Sequence, residues 1–322
     1  MIRVTNNMMI NDLRRNLNNN MRNMDMYQRQ LYTGRKINQP SDNPAGLVKS
    51  LRLRTNLTEG KQYINNIGEA INFMETTDSA LNNMGSIMHR VRELTVKAAN
   101  TGVNDPGALQ AIADEIKELN DQMKMIANTT YGAKHVFAGT NVTEAPYKKG
   151  TPPEDHAWIG NNNSLEMEIA VGVKMPINLN DQDMKGFFTS EVVTGIDEVT
   201  GDDITITGGI FALLDKVVND IENVANGVPG ANNIDENITL LDQKTEDLLS
   251  CRSKIGAKVN RLELQKSRLE STQVSYTGLL AENEDADLAE VIMNLKMQEN
   301  VYRASLSAGA RIIQPSLIDF LR

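Results

Sequence analysis

A seven-residue spacing of apolar side chains runs through both ends of this chain and limits what it can fold into. Ile10, Leu17, Met24 and Leu31 fall seven apart, with Leu13 and Tyr27 three residues after Ile10 and Met24. Residues 6–32 are therefore predicted as a helix with one narrow apolar seam, its other faces Asn, Arg and Gln. Near the other end, Ile234, Leu241, Leu248, Ile255, Leu262, Leu269 and Tyr276 keep one heptad position. Asn233 is the expected N-cap there, with Asp235 and Glu236 in the first turn, where negative charge is favourable. The phase slips at "TGLLAENEDAD" (277–287) and restarts as Ala281, Leu288, Leu295 and Tyr302, with Ile292 and Leu306 widening the stripe. The slip predicts a joint between two helical parts.

Between these ends the periodicity changes twice. Val48, Leu51, Ile64, Ile67, Ile71, Met74, Leu81, Met88 and Val91 follow a three-four pattern to about Ala99, and Gly102 sits where a C-cap glycine belongs. Asp105 and Pro106 predict an N-cap and a proline at the first helical position, followed by a stripe from Leu109 to Ile126. From residue 136 to 209, prolines, paired glycines and alternating stretches such as "SLEMEIAVGVKM" predict short strands. Helical spacing returns through Phe211, Leu214, Val218, Ile221 and Val224. Short connections such as Gly102 to Asp105 force neighbouring helices antiparallel, so the middle reads as a bundle carrying a β insertion.

The terminal helices cannot stand alone. Ordering about 30 residues costs roughly 30 to 60 kcal/mol of backbone entropy. Four or five seam side chains return only about 1.5 to 3 kcal/mol each. Each end is expected to need the other and, beyond that, further copies or other proteins, and to be weakly ordered in the free monomer.

Composition closes off several functions. The 322 residues carry 33 basic and 42 acidic side chains, a net charge of −9, so no general attraction to nucleic acid is expected. Aromatic residues make up only 4%, which argues for an elongated molecule over several compact cores. Cys251 is alone and can form no internal disulfide. No apolar run is long enough for membrane insertion, and the first residues lack a secretory-signal pattern, so the chain is expected to stay in the cytoplasm or leave by another route. His89, His135 and His156 stand in no zinc-binding frame, and no phosphate-loop, dinucleotide or nucleophile-elbow spacing occurs. No cofactor, metal or catalytic activity is expected. Acidic clusters at 113–118 and 281–287 read as solvated faces and helix starts. The sixteen methionines mostly sit on helical stripes as adaptable packing.

The segment "LYTGRKINQPSDNPAG" (31–46) interrupts the first helical stretch. Asn43 is the expected N-cap for Pro44, and Gln39-Pro40-Ser41 predicts an extended exit from the preceding helix. This segment resembles the loop after the first helix of bacterial flagellins and flagellar hook-filament junction proteins. The ending "DADLAEVIMNLKMQENVYRASLSAGARIIQPSLIDFLR" is similar to the other end of the same superfamily. Within it, "YGAKHVFAGTNVTEAPY" (131–147), the "PSDNPAG" form of the loop, and Asp319-Phe320 near the end resemble the junction family, hook-associated protein 3, more than filament flagellin. Asn43, where that family often has Asp, and the stretch "TSEVVTGIDEVTGDD" depart from its pattern.

The resemblance implies a mainly α, elongated flagellin-like helical bundle with coiled-coil terminal helices and a small outer β domain. The implied parts are a terminal coiled coil (1–43 and 278–322) that orders on assembly, a long bundle (44–135 and 210–277) and a β domain (136–209). It also implies a structural adaptor between hook and filament, exported unfolded and located outside the cell. Its implied partners are other copies in a helical ring, the first junction protein, flagellin, an export chaperone and the export apparatus. The residues expected to carry assembly are Ile10, Leu13, Leu17, Met24 and Leu31 on the first helix. On the last helix they are Leu288, Ile292, Leu295, Tyr302, Leu306, Leu317 and Phe320, where the chaperone is also expected to bind. Gly34, Arg35, Lys36, Pro40, Ser41, Asp42, Asn43 and Pro44 form the expected hinge, with Arg35 and Lys36 meeting a neighbouring subunit.

Overall fold

The structure, a computed structural model, describes residues 6–100, 105–149, 156–180, 182–184, 186–189, 192–196, 203–206, 208–227 and 234–313. Gly102 and Asn233, expected as caps, and Leu317 and Phe320, expected in the last seam, lie outside the described residues. The helices are α1 (Asn6–Thr33), α2 (Pro44–Ala99), α3 (Pro106–Ala127), α4 (Gly209–Ala225), α5 (Ile234–Glu284) and α6 (Leu288–Ile313). The chain is thus mainly α with a small β insertion, as the periodicity predicts.

The insertion consists of antiparallel hairpins. β1 (Thr130–Tyr131) pairs with β2 (Lys134–His135), and β3 (Tyr147–Lys149) with β4 (His156–Trp158). β5 (Glu166–Ala170) pairs with β6 (Val173–Pro176), and β7 (Val192–Ile196) with β8 (Asp203–Ile206). Strand pairing begins at Thr130, ahead of the expected start at 136, because the chain turns back through Gly132, whose φ of 60° suits a residue without a Cβ.

Helix ends follow local chemistry with two departures. Asn43 Oδ1 accepts from the Gly46 N–H at 2.9 Å, the predicted cap of α2. Asp105 has the extended backbone of an N-cap, yet its side chain caps nothing. Its carbonyl instead accepts from the Ala108 and Leu109 amides at 2.9 and 3.2 Å. The expected restart at Ala281 is also corrected, since α5 continues to Glu284. A slip in apolar phase rotates the stripe without breaking backbone hydrogen bonds. The helix stops only where Asp287 offers a new cap, its Oδ1 accepting from the Ala289 and Glu290 amides at 2.9 and 3.2 Å.

The chain divides into two compact units, residues 1–61 with 271–322, and residues 62–270. The divisions fall inside α2 and α5, whereas the expected boundaries stood at 43, in the loop before α2, and at 278, which itself lies inside α5. In the larger unit one continuous core reaches from Ile67 to Leu262, with Leu81, Met84, Met88, Ile116, Met123 and Leu241 buried. α3 packs along α4. Aromatic rings pin the hairpins to the helices: Trp158 stacks on Phe188 at 4.1 Å, Phe188 on Phe211 at 5.8 Å, and Tyr131 meets Phe73 edge-on at 5.9 Å. Arg252 holds Asp78 at 3.0 Å, joining α5 to α2.

Leu81→Ala should cost about 2 to 5 kcal/mol, because a fully buried leucine leaves a cavity between helices. The urea midpoint followed by fluorescence of Trp158, the sole tryptophan and a member of this core, should fall accordingly. An unchanged midpoint would contradict the packing described.

Candidate assembly site

The smaller unit is built on an antiparallel pair, α1 against α6. Along α1 the half-buried residues Ile10, Leu13, Leu17, Asn20, Met24 and Tyr27 alternate by three and four. Along α6 the matching stripe is Val291, Leu295, Gln298, Tyr302, Ser305 and Gly309. Val291 and Leu295 are 6% and 8% exposed, the tightest apolar contacts of the seam. Gly309 permits the closest approach, since a Cβ there would overlap Leu13 Cδ2. Leu288 is in phase with this stripe but, as the first residue of α6, stays 48% exposed, and Ile292 and Leu306 lie beside the stripe at 47% and 46%. Met293, Met297 and Val301, roughly opposite the seam on a helix of 3.6 residues per turn, are exposed as well. Leu31, at the top of the α1 seam, is exposed at its margin.

The loop between α1 and α2 closes the pair at one end. α1 stops at Gly34, whose φ of 69° and N–H bonded to the Gln30 carbonyl at 2.9 Å make a left-handed cap. The next residues form a short antiparallel bridge with the end of α5. The Ala286 N–H donates to the Gly34 carbonyl at 2.9 Å, and the Lys36 N–H donates to the Glu284 carbonyl at 2.7 Å. Residues 39–42 form a turn and not the expected extended exit, because the Asp42 carboxylate accepts from the Asn38 and Gln39 amides at 3.0 and 2.8 Å. Pro40 and Ser41 are exposed in this turn, and Pro44 opens α2. Ile37 is buried over Gly46, where a Cβ would come within 2.7 Å of Ile37 Cδ1 and of Asn43 Nδ2.

Glu284 gathers the charges at this corner. Arg54 Nε and Nη2 donate to its two carboxylate oxygens at 3.0 and 2.5 Å, a bidentate pair, and Arg35 Nε stands 3.6 Å away. Asn283 Nδ2 donates to the Gly46 carbonyl at 2.8 Å and to Ser50 Oγ at 2.6 Å. Lys36 Nζ donates to the Glu282 carbonyl at 2.7 Å. Arg35 and Lys36, expected to meet a neighbouring subunit, therefore have partners within the chain. The hydrogen bonds from Arg54 hold the Glu284 carboxyl below the ordinary carboxylate range against the opposing effect of burial, with help from Ser50 and Arg35.

Two family descriptions match this chain. Residues 4–142 match the bacterial flagellin N-terminal helical region, and residues 238–321 match the bacterial flagellin C-terminal helical region. The chain belongs to the flagellin family. Flagellin of Bacillus subtilis is 28% identical over 308 residues, covering 95% of this chain and 93% of that protein. Flagellar hook-associated protein 3 of Escherichia coli is 23% identical over 313 residues, covering 95% and 96%. The solved flagellar junction protein FlgL from Legionella pneumophila shares the fold at a TM-score of 0.56 and 15% identity, covering 75% of this chain and all of that one. Among the described residues, no helix is long and apolar enough to cross a membrane and no group of side chains could hold a metal ion.

Within this flagellin-family unit the structure brings Leu13, Leu17, Met24, Leu295 and Tyr302 into paired seams and leaves Leu288, Ile292 and Leu306 uncovered. Heptad counting misses Val291, because it follows Leu288 by three and was assigned no place in the stripe. It also misses Gly309, since a glycine carries no apolar signal. The Arg54–Glu284 pair has no sequence signal, as the two residues are 230 positions apart and Glu284 sits in a run of acidic residues that reads as solvated.

Because the folded carboxyl of Glu284 binds its proton more weakly than the unfolded chain does, its contribution is complete above the unfolded carboxylate value near about 4.3. That contribution is lost as the pH falls through the lower folded value. Hydrogen-exchange protection factors of residues 34–46 and 283–287 should therefore hold at neutral pH and drop in acid, below the usual carboxylate range. Glu284→Gln should lower them at neutral pH and flatten the dependence; a variant with the wild-type profile would show that Glu284 does not hold this corner.

Proposed function

We propose that this chain is a structural subunit of the bacterial flagellum at the hook-filament junction, outside the cell. The observation that carries assembly is the uncovered apolar surface of α6. Leu288, Ile292, Met293, Met297, Val301 and Leu306 are all exposed on a helix that packs along α1. A helix apolar on more than one face is stable when further helices cover it. Helices of other copies, of the first junction protein and of flagellin are the covering partners in this reading. Leu13, Leu17 and Leu295 hold the pair together, and the corner at Gly34–Pro44 sets where it begins. A terminal unit that parts easily also suits export as an extended thread, with an export chaperone covering α6 and residues 314–322 before assembly.

Placement at the junction, instead of along the filament, is supported by the segment 131–147. Tyr131 anchors to Phe73, and Tyr147 packs on Phe211 at 4.8 Å, so these family-type residues tie the first hairpins to the bundle. Near full-length likeness to hook-associated protein 3 of Escherichia coli agrees with this placement. Filament flagellin is the second reading, favoured by the 28% identity to the Bacillus subtilis protein over 95% of the chain.

Deletion should abolish motility with flagellin shed into the medium, and the purified chain alone should not grow long filaments; robust self-polymerisation would favour the filament reading. Leu17→Asp and Leu295→Asp, which place an unpaired charge in the seam, should leave the Trp158-reported core intact and block rescue of filament attachment. Normal attachment by either variant would sink the seam's role. Loss of residues 281–322 should abolish chaperone binding, and retained co-elution on size exclusion would refute that partner's site.

A further inference from the structure

The methionines of this chain divide by environment. In the larger unit Met74, Met84, Met88, Met123 and Met184 are 0 or 1% exposed and serve as core packing. On α6 the pattern inverts. Met293 and Met297 are 65% and 52% exposed, about one helical turn apart on the side opposite Val291 and Leu295. Both belong to the apolar surface that α1 leaves uncovered. Leucine at these positions would supply the same apolar cover without an oxidisable atom.

An exposed thioether is open to two-electron oxidants, and a buried one is shielded from them. With hydrogen peroxide, a sulfur lone pair attacks one peroxide oxygen, so that an S–O bond forms as the O–O bond breaks. Methionine loses two electrons and the peroxide is reduced to water. The sulfoxide oxygen is a strong acceptor on a side chain that was apolar. Covering it with an apolar partner leaves that acceptor without a donor. A reductase drawing two electrons from a pair of thiols reverses the change, the oxygen leaving as water and the thiols closing to a disulfide.

We propose that Met293 and Met297 form an oxidation switch on α6, at which peroxide turns the uncovered apolar surface polar and reversibly disables docking of further helices. The sites of oxidation are a property of the free chain; the loss of docking rests on the subunit reading above. Met125 on α3 is 68% exposed and reacts as an internal measure of unrestricted access. Met8, Met9 and Met21 on α1 are exposed as well. The double variant Met293→Leu/Met297→Leu keeps all of these, so it separates the α6 pair from them.

The test treats the full chain with hydrogen peroxide and follows each methionine by peptide mass spectrometry. Met293 and Met297 should form sulfoxide at rates within about threefold of Met125 and at least about tenfold faster than Met84 and Met88. With the Trp158-reported urea midpoint unchanged, incorporation onto isolated hooks carrying the first junction protein should then fall about tenfold. It should recover on treatment with a methionine sulfoxide reductase and a dithiol. The double variant should incorporate equally before and after peroxide. Oxidation of Met293 and Met297 as slow as that of Met84 overturns the sites. Undiminished incorporation of oxidised wild type, or an equal loss in the double variant, overturns the switch. Failure of untreated wild type to incorporate would instead overturn the subunit reading and the docking consequence with it, leaving the sites of oxidation standing on the peptide map.

Discussion

The carboxylate of Glu284 is where the terminal unit is tied together. It receives both donors of Arg54 on α2, stands near Arg35 in the loop after α1, and terminates α5, with three residues left before α6 begins. Its backbone carbonyl also accepts from Lys36, so the same residue fixes the loop by main chain and by side chain. An isolated surface ion pair contributes little. In this one the Glu284 side chain is shielded although Arg54 stays partly exposed, the contact is bidentate, and removing Arg54 would leave a buried carboxylate without its two strongest donors. Three chain segments share that constraint, which is why the loop takes a defined path despite its exposed Pro40, Ser41 and Asp42.

What lies away from that corner is held much less firmly. Among the described residues, the seam of α1 and α6 has two strongly buried apolar side chains on the α6 side, Val291 and Leu295, and both sit close to the tie. The large core, by contrast, draws on α2, α3, α4, α5 and the hairpins together. The physical division is between a many-helix core that covers its own apolar faces and the α1–α6 pair, which leaves apolar residues of α6 uncovered.

The helices were legible because a 3.5-residue spacing of apolar side chains survives any tertiary context that buries one face. α2 and α3 start where the expected caps stand, and the pairing of the two chain ends follows from seams too narrow to be covered otherwise. Legibility failed where the signal is not apolar. The end of α5 was misplaced because a rotated stripe does not interrupt backbone hydrogen bonding, so the cap at Asp287 and not the phase slip ends the helix. Gly46 and Gly309 matter through the side chain they lack, and Ile37 is a single apolar residue in a polar loop. None of these three produces a periodic pattern.

The amino-acid sequence by itself determined the class, the helical segments and the family, because periodicity, caps and the loop at 31–46 are local properties. Only the tertiary structure decided which apolar residues of α6 are spent on α1 and which remain uncovered, since six candidates spread over more than one face look alike in a linear pattern. It also decided that Arg35 and Lys36, though exposed, find partners within the chain. A cation near a loop is free or paired according to what lies within about 4 Å of it, and here the partners come from α5, some 250 residues further along the chain.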